Sequence, residues 1–362
     1  MKGATPIRAR RPDAAGIRVA SHDSASLAGR PIRATSSETL LNHRPLTTPV
    51  PLHARWGLSR LSSHQSRSHR RNTHNTYLFC GGFIYQNHLI PGMARVCLTY
   101  DFDGVAPWIW NYDMPRNHKQ GVFGADVGTP RLLDLHDEHG IPSTWFIPGH
   151  TIESFPEACE DVRDRGHEIQ HHTWSHAPRP SYDTREAEEH DLVRAIETIE
   201  DLTGETPTGF RASAGGFSEY TIELVEEYGF DWVSTDKERD FEPYYVRKGT
   251  SLPRDGPYQR GKKTDLVNVP YQWQRDDWIQ MGPIPKGGIM ADAVVFDRWR
   301  REFDWMIENV EDGVFVLLLH PQISGRASTV SLLDEFIQYA REQGADFVDA
   351  STVAAQHEEN KK

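Results

Sequence analysis

From residue 93 onward, apolar positions fall into short alternating runs and longer stretches with helical spacing. In Arg95-Val-Cys-Leu-Thr-Tyr-Asp101, Val96, Leu98 and Tyr100 alternate with Cys97 and Thr99, a strand pattern that runs on to a turn glycine at Gly104. A helix is predicted from Thr129-Pro130, with Leu132, Leu133 and Leu135 on it and Gly140 as its stop, followed by a strand at 143–147. Phe155-Pro156 opens the next helix, which ends at Gly166 before a short strand at 167–170. Asp183 is the expected cap of a long helix that places Leu192, Ile196, Ile199 and Leu202 on one face and closes at Gly204. A strand at 208–212, a Ser218-capped helix stopped by Gly229 and a strand at 230–234 continue the alternation. Six prolines interrupt 240–290, where one strand is predicted, at 265–269. A helix over 292–310, an apolar strand at 314–319, a helix over 332–343 and a strand near Phe347 complete the pattern.

Seven or eight strands separated mostly by helices predict an α/β protein: a parallel sheet closed into an irregular (β/α)7-type barrel, with 240–290 as a proline-rich insertion. In such folds chemistry sits on the loops that follow the carboxyl ends of the strands.

Charge divides the chain. Residues 1–92 carry 13 Lys+Arg against 3 Asp+Glu, are rich in Arg, Ser, Thr, His and Pro, and show no sustained period, so they read as a disordered basic arm. A mis-assigned start is the other reading, because Met93 opens directly on the first strand. Residues 93–362 carry 27 Lys+Arg, only 8 of them Lys, against 49 Asp+Glu, a balance of −22. That excess argues against nucleic acid or an anionic membrane as partner and matches either a salt-adapted protein or an ordinary acidic enzyme.

Cys80, Cys97 and Cys159 form no CxxC pair, which removes a disulfide framework and a thiolate zinc site. No apolar run is long enough to span a membrane. Arg70-Arg71 precedes a short, glycine-broken apolar stretch that is a poor export signal, so a cytoplasmic location is expected.

The candidate chemistry gathers at predicted strand ends. Asp101 and Asp103 lie two apart, and in an extended chain their carboxylates share a side, where a cation would relieve their repulsion; a strand-end turn with solvated acids is the alternative. His172 and His176 follow the third strand at a spacing that lets both imidazoles meet one ion, although HxxxH alone is weak among 18 histidines. Together with a carboxylate and an open position, two histidines make a hydrolytic zinc site. Arg211 ends the fourth strand and suits an ion pair with Asp101. His320 emerges from the apolar strand as a titratable group suited to general acid work. His136 and His139, on a helix stopped by Gly140, are read as solvated. Trp108, Trp110, Trp273 and Trp278 could stack on a sugar or wall in a small ring, with a core role the alternative for each.

Thr-Tyr-Asp101-Phe-Asp103-Gly, His172-x-x-x-His176, Arg211-Ala-Ser-Ala-Gly215 and Leu318-Leu-His320-Pro, in this order, resemble the successive motifs of the polysaccharide deacetylase superfamily (NodB homology, carbohydrate esterase family 4). The resemblance spans about 93–350. Asp240-Phe-Glu-Pro-Tyr-Tyr-Val-Arg247, Asn268-Val-Pro and His320-Pro-Gln-Ile-Ser-Gly-Arg326 resemble its peptidoglycan-deacetylase-like branch, which also holds cyclic imide and allantoin hydrolases. The chain departs from the pattern with Asp-Phe-Asp for a double aspartate, Ser213 for a proline, and Gly215-Gly216 for bulky aromatics, which implies a wider pocket.

The resemblance implies that Asp103, His172 and His176 bind a divalent metal, zinc first, that Asp101 is the catalytic base oriented by Arg211, and that His320 is the acid. It implies hydrolysis of a non-peptide carbon–nitrogen bond, foremost in an N-acetylated glycan, with a small cyclic amide as the alternative substrate. A metal-free binding module is the non-enzyme alternative. Further copies of the chain, in a homo-oligomer, are the remaining candidate partner.

Overall fold

The computed structural model describes residues 94–112, 114–178, 182–282 and 289–359. The arm at 1–92 and the alternative start at Met93 lie outside the described residues. One sheet organises the rest: β1 (Arg95–Asp101), β2 (Thr144–Ile147), β3 (Glu168–His171), β4 (Gly209–Phe210), β5 (Trp232–Val233), β6 (Tyr244–Lys248), β7 (Lys262–Asn268), β8 (Val314–Leu319) and β9 (Asp346–Phe347). Their order is β6-β7-β5-β4-β3-β2-β1-β8, with β9 also on β1. Every pairing is parallel except β6 on β7. Helical crossovers dictate that direction, since a strand returning through a helix re-enters the sheet from the same end.

The two faces of β1 separate core from site. Val96, Leu98, Tyr100 and Phe102 pack outward with Trp145, Phe315 and the helix residues Leu132, Leu133, Trp299, Phe303 and Phe336. Cys97 points the other way, into a second cluster with Phe146, Trp232, Val267, Val316 and Leu318. The period of two therefore carries Thr99 and Asp101 inward as well. Helix Ala350–Glu359, which the apolar pattern did not reveal, closes the amino-terminal end of this interior with Ala350, Val353 and Ala354. Ala350 N–H donates to Thr144 Oγ1 (2.8 Å) and Trp232 Nε1 to Ser351 Oγ (3.1 Å).

The barrel is irregular at β8, which among the described residues has no full strand on its outer edge. Its outer edge is met by single contacts from the proline-rich segment: Val314 N–H donates to Phe241 O (2.9 Å), and Asp276 forms a parallel bridge to Leu318. That segment holds two strands where one was expected. β6 escaped notice because it is short, sits between Pro243 and Gly249, and alternates poorly, with Tyr244 and Tyr245 both half-buried. Two further expectations shift. The cap of the long helix Arg185–Thr203 is Thr184, whose side chain accepts from Ala187 N–H (3.2 Å), and not Asp183. His136 is buried, with Nδ1 at 3.1 Å from Ile141 O and Nε2 at 2.9 Å from Tyr100 Oη; burial pulls its pKa down to about 3, so it is a neutral core residue. His139 pairs with Asp334 at 2.7 Å. Among the described residues, no helix is long and apolar enough to cross a membrane.

Candidate active site

The inward parity of β1 delivers two polar groups to the barrel floor, and a buried cation answers them. Arg211, immediately after β4, is fully buried, a position that desolvates a permanent charge unless its donors are met. They are met closely: Nη1 donates to Asp101 Oδ1 (2.6 Å), Nη2 to Thr99 Oγ1 (3.0 Å) and Ser234 Oγ (2.8 Å), and Nε to Ser234 O (3.0 Å). The guanidinium also lies 3.9 Å over the Phe146 ring. The ion pair expected from sequence is present, and it leaves Asp101 Oδ2 at 3.6 Å from His172 Nε2.

Beyond the strand end, Gly104 turns the chain at φ 56°, where a Cβ would also meet Thr151 Cγ2 at 2.9 Å. The turn sets Asp103 facing both histidines: Oδ1 is 3.2 Å from His176 Nε2 and 3.5 Å from His172 Nε2. The three ligand atoms lie within 4.8 Å of one another. Burial alone would raise the Asp103 carboxyl, but the His176, His172 and His320 imidazoles hold it well below the usual carboxylate range.

Second partners fix the imidazoles. His172 Nδ1 donates to Arg211 O (2.9 Å) and His176 Nδ1 to Asn111 Oδ1 (2.8 Å), which turns Nε2 of each ring toward Asp103. Asp103 Oδ1 and His172 Nε2 are buried and have no hydrogen-bond partner among the described residues. Two imidazole nitrogens and one carboxylate with buried, unmet atoms are a donor set that fits a divalent cation.

The histidine motif is a tight loop, not a helical turn. Thr173 and His176 both have positive φ (66° and 58°). Asp191, on helix Arg185–Thr203, accepts from Trp174 N–H and Ser175 N–H (3.0 Å each), while Thr173 Oγ1 accepts from His176 N–H (3.0 Å). A backbone held in a sparsely populated region needs such over-determination.

Across from this cluster stands His320, directly after β8. Its Nδ1 meets Asp277 Oδ1 at 2.6 Å, its backbone N–H donates to Asp277 Oδ2 (2.8 Å), and Ser324 Oγ donates to the same oxygen (2.5 Å). Burial would lower the imidazole's pKa, but the Asp277 carboxylate and its hydrogen bond, then Asp103 and Asp276, push it up to about 10. His320 Nε2 lies 3.7 Å from Asp103 Oδ2. Asp277 was not anticipated, because it sits 43 residues before its partner in the aperiodic segment. Its capping neighbour Asp276, which accepts from Trp278 N–H (2.9 Å), is raised by burial to about 7.

These groups open into a cleft of about 440 Å³ lined also by Tyr112, Lys237, Tyr271, Trp273 and Trp278. Of the expected aromatics, Trp273 is 63% exposed at the rim, and Trp278 stacks on Tyr112 with centroids 6.0 Å apart. Trp108 is instead buried behind Tyr112 and Trp278, and Trp110 packs on His150 and Trp174 away from the cleft. Both places correct the substrate role, and Trp108 takes the core role given as its alternative: the turn after Gly104 makes a helix (Ala106–Trp110) that aims it inward. Ala214, just before Gly215-Gly216, lines the cleft.

The polysaccharide deacetylase family model matches residues 114–233, which take in His172, His176 and Arg211. A peptidoglycan deacetylase of Helicobacter pylori is 35% identical over 277 residues, covering 72% of this chain and 94% of that protein. A solved structure of a candidate polysaccharide deacetylase from Mycobacterium smegmatis is 31% identical, with a TM-score of 0.65 over 74% of this chain and 91% of its own. An allantoinase structure shares the fold at 22% identity and a TM-score of 0.56, over 72% and 88%. With the motifs assembled at one end of the barrel, and with identity of this extent across most of a relative's length, the chain belongs to the polysaccharide deacetylase family.

Proposed function

We propose that the protein is a metal-dependent hydrolase that removes the N-acetyl group from a glycan. The observation that carries this is the convergence, in one cleft, of the Asp103–His172–His176 cluster with its unmet buried atoms, the Arg211-held Asp101, and the Asp277-held His320. A divalent ion held by those three ligands, zinc by the nature of the donor set, would polarise the amide carbonyl and bring a water's pKa toward ~7.

The chain's own residues supply the proton traffic. Asp101, anchored through Oδ1 by Arg211, keeps Oδ2 at the cleft floor to take the proton of the attacking water. His320 holds its other proton on Nε2, because Nδ1–H is committed to Asp277, and delivers it to the departing nitrogen so that the amine can leave. The Asp277 carboxylate, which raises the imidazole's pKa, favours its protonated form for that step. Each transfer of this kind contributes ~10²–10⁴ to rate. The exposed indole of Trp273 and the stacked Tyr112–Trp278 pair form an aromatic rim suited to the apolar faces of sugar rings, and they support a glycan over a small ring.

The test is a substrate panel with metal-loaded protein: acetate release from N-acetylglucosamine oligomers against ring opening of succinimide, hydantoin and allantoin. Acetate release is expected. Ring opening without acetate release would overturn the glycan and install the cyclic amide, and inactivity on the whole panel together with no metal uptake would favour a binding module.

A further inference from the structure

A basic ribbon stands out on an acidic chain. Residues 247–263, which end β6, cross the hairpin and begin β7, hold six Lys+Arg against one acid, Asp255, whereas residues 93–362 as a whole carry −22. The register sets cation opposite cation: Arg247 is paired with Lys263 and Lys248 with Lys262. Like charges directly opposite across two strands repel, and successive pairs point to opposite faces, so both faces of the ribbon carry the repulsion. Counter-ions are few. Glu226 meets Lys248 at 2.6 Å and Glu238 meets Arg260, while Glu223 and Asp265 act on Lys248 through space. Arg247 spends Nη1 on Gly261 O (2.8 Å). Arg254, Lys262 and Lys263 are exposed and form no ion pair among the described residues.

The ribbon ends in apolar surface. Leu252 and Tyr258 follow the Ser251–Gln259 bridge on the two sides of the tip, 78% and 56% exposed. Blunting of an edge strand would account for charge on β6, but not for charge on β7 or for an apolar tip. β7 runs parallel to β5 and reaches the site end of the barrel at Asn268, so its start at Lys262, and the hairpin before it, lie at the end opposite the cleft.

We infer that this hairpin docks the protein on a bilayer of anionic lipids, with Leu252 and Tyr258 among the upper acyl chains and the cations among the headgroup phosphates. An apolar tip with a cationic collar matches such a layer, which is negative outside and apolar within. A layer that encloses the ribbon meets the cations on both faces, whereas a flat protein surface would cover one. The acid excess weighs against a membrane for the body of the protein, but charges beyond the Debye length of ~8 Å are screened, and the hairpin is the local exception. Docked by this end, the protein keeps its cleft facing away from the bilayer. The inference is independent of the reaction carried out there.

The experiment is co-sedimentation of the full chain with phosphatidylcholine vesicles, with and without phosphatidylglycerol, at physiological salt, joined to hydrogen exchange of the amides of 249–261. Anionic vesicles should bind the chain and slow exchange in 249–261, and neutral ones should do neither. Lys262→Gln with Lys263→Gln should weaken binding ~10- to 100-fold, the worth of two lysines at an anionic surface. Leu252→Ser with Tyr258→Ser should weaken it by at least ~10-fold. Residues 1–92 bring their own cations, the same in every variant, so these comparisons and the exchange read the hairpin alone. Equal binding by the wild type and the lysine variant, or unchanged exchange in 249–261 on anionic vesicles, overturns the inference. So does equal protection of these amides by soluble polyglutamate, which would make the hairpin a general polyanion site, or by high protein concentration without lipid, which would assign it to a second copy. Should the tip variant fail to fold, the lysine variant and the wild-type exchange decide.

Discussion

Asp101 and Asp103 stand two residues apart, yet the structure gives them different neighbours. Asp101 faces a permanent cation, Arg211 at 2.6 Å, while Asp103 faces two imidazole nitrogens turned toward it by their outer partners. Asp103→Ala removes the anionic ligand and should abolish stoichiometric metal binding, because two histidines alone do not offset a dication. Asp101→Asn keeps the shape and an acceptor for Arg211, so metal content should stay near one per chain while turnover falls ~10²–10⁴. Elemental analysis and kinetics on both variants check this, and an exchange of the two behaviours would reverse the assigned roles. At this scale much was legible: Asp101, Asp103, His172, His176, Arg211 and His320 all fall at strand ends, and they converge on one cleft wall or floor. Asp277 was not, since it lies in no periodic run and acquires its meaning from a partner 43 residues away. His136 was misread because exposure follows from packing against Tyr100, which helix position alone does not reveal.

Among the elements, the histidine loop after β3 is the one whose conformation the site depends on most. Its two positive-φ residues are held by the Asp191 carboxylate, which reaches from the middle of helix Arg185–Thr203 to two successive backbone N–H groups. Asp191→Ala would leave both donors unmet in a buried setting, at about 1–3 kcal/mol for each unmet group. The loop can relax by letting His176 return toward negative φ, which carries its imidazole off Asp103. Metal affinity should therefore drop ~10- to 100-fold, the range typical of lost outer partners, while Asp191→Asn, keeping one acceptor, should lie between. A metal titration identical for Asp191→Ala and wild type would show that the clamp does not position the ligand. The sequence disclosed the strand and the HxxxH spacing but not the clamp, for the same reason that it hid β6 and the closing helix. Such features are decided by contacts between elements, whereas periodicity reports only which face of one element is buried.

For the whole molecule, the surface charge of residues 93–362 sets the remaining expectation. The balance of −22 is only partly relieved by local pairs: Arg165 bridges Asp134, Asp137 and Asp161 at 2.8–3.0 Å, and Arg300 bridges Asp297 and Asp304 at 3.1 and 3.0 Å. Exposed pairs of this kind contribute ~0–1 kcal/mol each, and salt weakens them. Salt also screens the unpaired carboxylates from one another, the Debye length shrinking from ~10 Å at 0.1 M to ~3 Å at 1 M. With 49 acids against 27 bases the repulsive pairs outnumber the attractive ones, so screening should stabilise the fold on balance. The melting temperature should accordingly climb by several degrees between 0.1 and 2 M KCl. Metal content should stay constant over the same range, since the Asp101–Arg211 pair and the Asp103 cluster are buried and little screened. A melting temperature that is flat or falling would remove salt adaptation as the reason for the charge, because the acid excess would then cost the folded state nothing that ions relieve.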